Sequence, residues 1–287
     1  MKAKTLVVVL LLAVLLLSGS ACDGGAPVGM LAEEIRDEAI AAEAELDTCQ
    51  FGMDMAMDMR IVMDGETFDS AMVMDAAGAI DKPNEEMYMD MTMIMEMTGE
   101  EDMEMSMALY IVEDWMYAGQ EMPGEPATWL KMLMPEGMWE QISEQYDIVA
   151  QHLDVLLGVE VQLVGTETVD GTECYVLEVI PSMEELWALM QLAGAGEGLP
   201  PGLDFEELIT DFSIRYWIAK DTYFTLKSAV ELTMVLTPED LGIPPELAGE
   251  FDATADMSMT GIMHHFNEAV SIELPPEAEA AEEIPMP

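Results

Sequence analysis

The clearest periodicity in the chain is the alternation Met87-Tyr88-Met89-Asp90-Met91-Thr92-Met93-Ile94-Met95-Glu96-Met97. Successive side chains of an extended strand point to opposite faces of a sheet, so this period of two indicates a β-strand. One face of that strand is entirely methionine, and the other is mostly polar. The pattern therefore predicts a half-buried strand.

Three neighbouring segments repeat the same periodicity. Residues 51–63 alternate apolar side chains with mostly polar ones, residues 68–74 form a second short run, and residues 103–111 form another. Turn residues separate the four segments, including Asp64-Gly65 and the stretch 99–102. Consecutive strands joined by short turns predict an antiparallel meander.

Methionine dominates the apolar face of this meander, with 30 Met in the chain against 7 Phe and 7 Tyr. A rigid core would favour Val, Ile and Phe, whereas methionine is flexible and suits surfaces that adapt to variable apolar partners. Two interpretations follow: an ordinary core filled with methionine, or the wall of a cavity for an apolar ligand. The second gives the cavity-lining residues as Met53, Met55, Met57, Met59, Met87, Met89, Met91, Met93, Met95, Met103, Met105 and Met107.

The rest of the chain mixes helical and extended periodicities. Apolar residues at three- and four-residue steps predict helices over 30–46, 139–157 and 183–192, and alternation predicts strands over 159–167, 173–180, 212–218, 225–236 and 251–263. This order predicts one α+β domain over residues 30–274. Residues 275–287 are acidic and rich in proline, which predicts a disordered tail.

The first residues resemble a bacterial lipoprotein signal. Lys2 and Lys4 precede an apolar run over 5–17, and small residues then lead into Cys22. That run is shorter than the roughly 20 residues of a membrane-spanning helix, which is the alternative interpretation. We therefore expect a signal peptide over 1–21, a diacylated Cys22, a tether over 22–29 and an extracytoplasmic protein anchored to the cell membrane.

Lipidation of Cys22 would leave Cys49 and Cys174 as an even pair in an oxidising exterior. A disulfide between them is one interpretation, and two buried thiols are the other. Sequence does not choose between them, because bridging depends on the distance between their Cα atoms.

The formal charge of 9 − 58 = −49 excludes nucleic acid as a partner, since binding a polyanion requires clustered Lys and Arg. An acidic, solvated surface favours a soluble monomer and repels anionic membranes. A lipid anchor, rather than surface charge, would then hold the protein at its membrane.

Three further segments are informative: the hairpin over 170–177, the pair Trp217-Ile218-Ala219-Lys220-Asp221-Thr222 with Leu226-Lys227, and the ending over 270–277. Together with the N-terminal helix and the long meander, they resemble the LolA-like and LppX/LprG-like envelope lipoproteins. Ala219 and Thr225 stand where that group has Asp and Pro. The resemblance implies a curved, half-barrel antiparallel sheet wrapped around two or three helices and an apolar cavity. It also implies a carrier or sensor of lipids or lipoproteins at the envelope. We expect lipid or acylated ligands and other envelope proteins as partners, and no cofactor.

Catalysis finds little support, because no nucleophile motif such as G-x-S-x-G accompanies His152, His264 and His265. Two other hypotheses remain. Met-x-Met pairs suit Cu(I), and Met257, Met259 and His265 have the same parity, which makes them a candidate copper site. A structural or interaction lipoprotein without a ligand is the other alternative.

Overall fold

The structure is a computed structural model that describes residues 31–63, 65–99, 101–124, 126–135, 137–139, 159–182, 208–238 and 251–284. Of the predicted helix over 139–157 only Trp139 is described. The predicted helix over 183–192, the signal peptide, Cys22 and the whole tether lie outside the described residues. No helix within the described ranges is long and apolar enough to cross a membrane.

Two helices and twelve strands make up the described chain. In order they are α1 (Ala32–Ala44), β1 (Thr48–Met63), β2 (Glu66–Asp81), β3 (Glu86–Met97), β4 (Met103–Val112), β5 (Trp115–Glu121), β6 (Thr128–Leu133), β7 (Glu160–Val169), β8 (Thr172–Ile180), β9 (Ile209–Ala219), β10 (Thr225–Leu236), β11 (Phe251–His264), α2 (Pro276–Glu279) and β12 (Glu282–Glu283).

All twelve strands belong to one open, curved sheet with the order β12-β6-β5-β4-β3-β2-β1-β11-β10-β9-β8-β7. Every neighbouring pair is antiparallel except β12 with β6, which is parallel. The predicted antiparallel sheet and four-strand meander are therefore confirmed. The expected number of helices around the sheet stays a prediction, because two of them lie mainly outside the described ranges.

Strand β2 is much longer than the predicted segment 68–74. Its extension contains Ala76, Ala77, Gly78 and Ala79, which have low β-propensity. These residues pair along their whole length with β1 on one side and β3 on the other. Pairing on both sides thus overrides the local preference of the small residues.

Directly opposite residues in an antiparallel pair share a face, so the register divides the sheet into two faces. We call the face that carries Met53, Met91 and Met107 the inner face, and the opposite one the outer face. On the inner face Trp139 packs against Met87 and Ile111. Helix α1 contacts β7, and its Glu43 lies close to Tyr216 of the same face. Helix α1 and Trp139, the described parts of two predicted helices, therefore both pack on the inner face.

The outer face has its own apolar cluster, formed by Cys174, Val176 and Trp217. The indole Nε1 of Trp217 donates a hydrogen bond to Glu167 Oε2 at 2.7 Å, and Lys227 Nζ lies 4.4 Å from the ring centroid. The hydrogen bond satisfies the polar atom of an otherwise buried side chain. This end of the sheet is thus packed on both faces.

The C-terminal segment differs from the predicted disordered tail. After β11, Asn267 joins the start of β1, where its Oδ1 accepts from Asp47 N at 2.8 Å and its N donates to Thr48 O at 2.8 Å. The chain then passes Tyr88 and Tyr110 on the outer face, forms α2, and pairs β12 with β6. Residues 285–287 lie outside the described part of the chain. Burial of Ala278 and Ala281 and this edge pairing give the segment contacts that its composition does not suggest.

Candidate functional site

Methionines of five neighbouring strands stand directly opposite one another on the inner face. One row contains Met259, Met55, Met74, Met93 and Met105, and the adjacent row contains Met257, Met57, Met72, Met95 and Met103. We call these ten residues the methionine ladder. Directly opposite side chains in such a sheet have Cβ atoms about 4.5–5.5 Å apart, so each thioether lies close to the next.

The remaining predicted cavity residues surround the ladder. Met53, Met91 and Met107 share a third row, which is interrupted by Gly261 and Ala76. Met59 lies between Ala255 and Ser70, and Met89 lies between Gly78 and Leu109. The structure therefore brings all the predicted residues to one face, and it adds Met72, Met74, Met257 and Met259 to them.

Exposure changes along this face from one end to the other. Met87, which belongs to the packed cluster with Trp139, is 1% exposed, whereas Met97 at the far end of the same strand is 43% exposed. Met63 and Met103 at that far end are 38% and 47% exposed, and the methionines between the ends are half-buried. Met87 is thus an ordinary core residue, and the face becomes accessible towards the β1–β2 and β3–β4 turns.

The outer face of the same strands is acidic. Asp54 stands directly opposite Asp75, and their hydrogen bond, together with burial and mutual repulsion, raises the pKa of Asp54. Burial also raises the pKa of Asp90, which accepts a hydrogen bond from the Tyr110 hydroxyl at 3.3 Å. Burial and the Asp90 carboxylate raise the pKa of Tyr110 to about 12. The two faces of the meander therefore present very different chemistry to a ligand.

A cavity between the third strand and the C-terminal segment lies on this outer face and was not predicted from the sequence. It has a volume of about 260 Å³ and is lined by Tyr88, Tyr110, Ser271 and Glu273. The two tyrosine rings are stacked with centroids 5.7 Å apart. The alternation of the third strand places Tyr88 opposite the methionines, but only the path of the C-terminal segment brings Ser271 and Glu273 to it. A Met-lined cavity stays a prediction.

Cys49 and Cys174 are buried thiols. They lie on β1 and β8, with β11, β10 and β9 between those strands. Four strand spacings amount to about 19 Å along the sheet, whereas a disulfide requires Cα atoms within roughly 7 Å. The disulfide interpretation is therefore wrong for this structure, and the alternative of two buried thiols describes it. Burial raises the pKa of the Cys174 thiol.

The structure does not bring together the candidate copper ligands Met257, Met259 and His265. Both methionines belong to the ladder, but His265 follows the end of β11, six residues beyond Met259. Six residues of strand span about 20 Å. His265 instead contacts His264, with their Nδ1 atoms 2.6 Å apart.

Solved structures similar to this chain include two mycobacterial proteins and one from Desulfovibrio piger. The Mycobacterium tuberculosis lipoprotein LppX is 14% identical with a TM-score of 0.37, over 83% of this chain and 96% of LppX. LprF from Mycobacterium bovis is 11% identical with a TM-score of 0.38, over 86% and 99% of the two chains. A DUF1329 family protein from D. piger is 13% identical with a TM-score of 0.25, over 85% and 96%.

The similarity to LppX that the sequence predicted is thereby confirmed. TM-scores this low do not support a conclusion about function. No curated protein matches the chain. Residues 31–283 match the model of DUF6612, a family of unknown function, and this range covers the whole described sheet. The chain therefore belongs to the DUF6612 family.

Proposed function

We propose that this protein is an extracytoplasmic lipoprotein, held at the membrane by a diacylated Cys22, that binds a lipid or acyl chain on its inner face. It acts there as a carrier or sensor, without catalysis and as a monomer. The proposal rests on one observation: each of β1–β4 and β11 carries half-buried methionines on the inner face, whereas the outer face of the same strands is acidic.

The chemistry of methionine supports an apolar ligand of variable shape. Its side chain is unbranched and polarizable, so neighbouring methionines adjust to an acyl chain at little cost. Strands of this length would gain stability from Val or Ile if rigid packing were the only requirement. The abundance of methionine is therefore better explained by adaptation to a ligand than by the needs of a core.

The gradient of exposure supports an entrance at one end of the face. Met87 is sealed by Trp139, while Met63, Met97 and Met103 are accessible at the opposite end. The ladder runs from the middle of the face to this accessible end, because Met93 is six residues, or about 20 Å, along β3 from Met87 and Met103 is itself a member. That distance suits an extended acyl chain entering from the turns.

Comparing a charge placed on the inner face with one placed on the outer face distinguishes lipid binding from a purely structural role. Met91→Asp or Met105→Asp puts a carboxylate on the inner face, which we expect to weaken binding of a fluorescent fatty-acyl probe by about tenfold or more, equivalent to about 1.4 kcal/mol. Thr92→Asp and Ser106→Asp are matched controls. They lie on the same two strands but face outward, with their hydroxyl oxygens 3.5 Å apart in the native protein.

Lipid-dependent stability and native mass spectrometry complete the test. A ligand that binds only the folded state raises the melting temperature with its concentration, so the native protein should respond to a long-chain lipid and Met91→Asp should respond less. Mass spectra of the protein purified from its own membrane should contain a co-purifying lipid. Equal probe binding by all four variants, or no stabilisation by any lipid, would favour an interaction lipoprotein instead.

A further inference from the structure

The positions of the methionines in β2 and β11 are informative because these strands contain few methionines on the inner face, unlike β1, β3 and β4. The inner positions of β2 from Phe68 to Ile80 hold only two methionines, Met72 and Met74. Those of β11 hold three, of which Met257 and Met259 are adjacent. The register places all four in the two rows already occupied by β1, β3 and β4. The two rows are continuous because the few methionines of β2 and β11 lie directly opposite methionines of the neighbouring strands.

A purely apolar wall does not require this alignment, because Ala, Val or Ile would fill the same levels equally well. A continuous row of thioethers does have a chemical consequence. Sulfur of methionine is a soft, neutral donor that prefers Cu(I) among biological metals. With Cβ atoms about 4.5–5.5 Å apart, the flexible side chains of three successive members can turn their sulfur atoms towards one point.

We propose that the methionine ladder is a binding surface for soft monovalent cations, with Cu(I) as its ion and thioether sulfur as its ligand. Each site is formed by neighbouring members of one row, such as Met55 with Met74 and Met259. This goes beyond lipid binding and rests on the register alone. The net charge of −49 favours the approach of any cation, and the half-buried thioethers select the soft ones.

Within the described strands around the ladder, the other common copper ligands do not lie near it on the inner face. Among the inner-face positions of β1–β4, β10 and β11, titratable side chains occur only at Cys49 and Glu66. Each lies six residues, or about 20 Å, along its strand from the nearest ladder methionine, Met55 and Met72 respectively. The ladder therefore binds metal through sulfur atoms that do not take up protons in the pH range of protein stability.

Methionine-to-leucine substitutions separate sulfur chemistry from apolar contact. Leucine keeps volume and hydrophobicity, so such exchanges usually cost less than about 1.5 kcal/mol in stability. The test variant is M55L/M74L/M93L, which removes the middle of one row. The matched control is M59L/M89L/M234L, because each of these inner-face residues has no methionine directly opposite it.

The experiment titrates the purified full chain with Ag(I), a redox-inert analogue of Cu(I), and repeats it with Cu(I) under ascorbate against a competing chelator. We expect the altered row of M55L/M74L/M93L to bind at least about tenfold more weakly, the order of loss seen when even the groups behind metal ligands are changed. The row that contains Met57 stays intact, so the variant should bind fewer ions per chain than the native protein does. The control should bind as the native chain does. The native chain is titrated separately with the fluorescent acyl probe. Binding of neither ion overturns this proposal, and no binding of the probe overturns lipid binding, so the two failures are distinguishable.

Two further measurements identify the ligands. X-ray absorption of the Cu(I) form should contain only sulfur neighbours, and affinity should persist at pH 5, where histidine with its ordinary pKa near 6.5 is protonated. The proposal is overturned if the native chain binds neither ion, if both triple variants lose or keep binding equally, if nitrogen or oxygen ligands are found, or if acidification releases the metal.

Discussion

Asp54 of β1 stands directly opposite Asp75 of β2 on the outer face, and their carboxyl groups form a hydrogen bond that raises the pKa of Asp54. Like charges at directly opposite positions destabilise an antiparallel pair. The pair therefore destabilises the middle of the β1–β2 hairpin, which is the longest of the described sheet.

Asp54→Asn should raise the free energy of unfolding at neutral pH by about 0.5 kcal/mol, because it removes one of two facing charges. The native pair should also give a characteristic pH dependence. A carboxyl whose folded pKa is raised binds its proton more tightly in the folded state, so its contribution to stability increases as pH falls through the folded pKa towards 3.8. Urea unfolding at several pH values measures both effects.

Glu96→Gln is the control for this prediction, since Glu96 is also an outer-face carboxylate but faces Ala71. It should change stability less than Asp54→Asn. A gain in stability of equal size in the two variants would point to a general effect of reduced net charge. A gain for Asp54→Asn that persists in high salt would contradict repulsion between Asp54 and Asp75 as the cause, because salt screens such repulsion.

Gly78→Ala should destabilise the protein by about 1–3 kcal/mol, the usual cost of overpacking. A Cβ atom at Gly78 would overlap the Phe51 ring and the carbonyl oxygen of Tyr88. Because the second neighbour is backbone, the clash cannot be relieved by a side-chain rotation alone. Thermal and urea unfolding provide the measurement.

Gly52→Ala is the matched comparison on the adjacent strand. The nearest atom to its added Cβ would be Ala76 O at 3.9 Å, which is ordinary contact. We expect no loss of stability there and a gain of up to about 1 kcal/mol from reduced freedom of the unfolded chain. Equal losses of stability in the two variants would show that Phe51 does not pack closely against Gly78.

The two buried cysteines should react as thiols once the protein is unfolded. We expect alkylation under denaturing, non-reducing conditions to label both Cys49 and Cys174, with much slower labelling of the folded protein because both are buried. Peptide mass spectrometry identifies the labelled positions. A peptide pair joined through these residues, seen without reductant, would contradict the sheet order.

The anchor is tested at Cys22, whose thiol is required for diacylation. Cys22→Ala should release the processed chain from the membrane fraction or leave it unprocessed, as detected by membrane extraction and gel mobility. Ser18→Ala is the control, because it changes the signal without removing the thiol. Unchanged extraction and mobility of Cys22→Ala would rule out lipidation.

Local patterning predicted the strands because side-chain alternation is a property of a single strand. The run from Met87 to Met97 identifies β3 and its two faces without reference to any partner. The same argument located β1, β4 and β7–β11 to within a few residues. It failed for the second half of β2, where the small residues from Ala76 to Ala79 become extended only because β1 and β3 pair with them.

Partner choice and register required the tertiary structure, since they depend on contacts between residues far apart in sequence. The sequence supplied Met55 and Met259 as methionines of two strands, but only the pairing of β1 with β11 places them directly opposite each other. The same order separates Cys49 from Cys174 by three strands and removes the disulfide that counting suggested. The acidic C-terminal segment is held by the unpaired edge of β6, a partner that its own composition could not reveal.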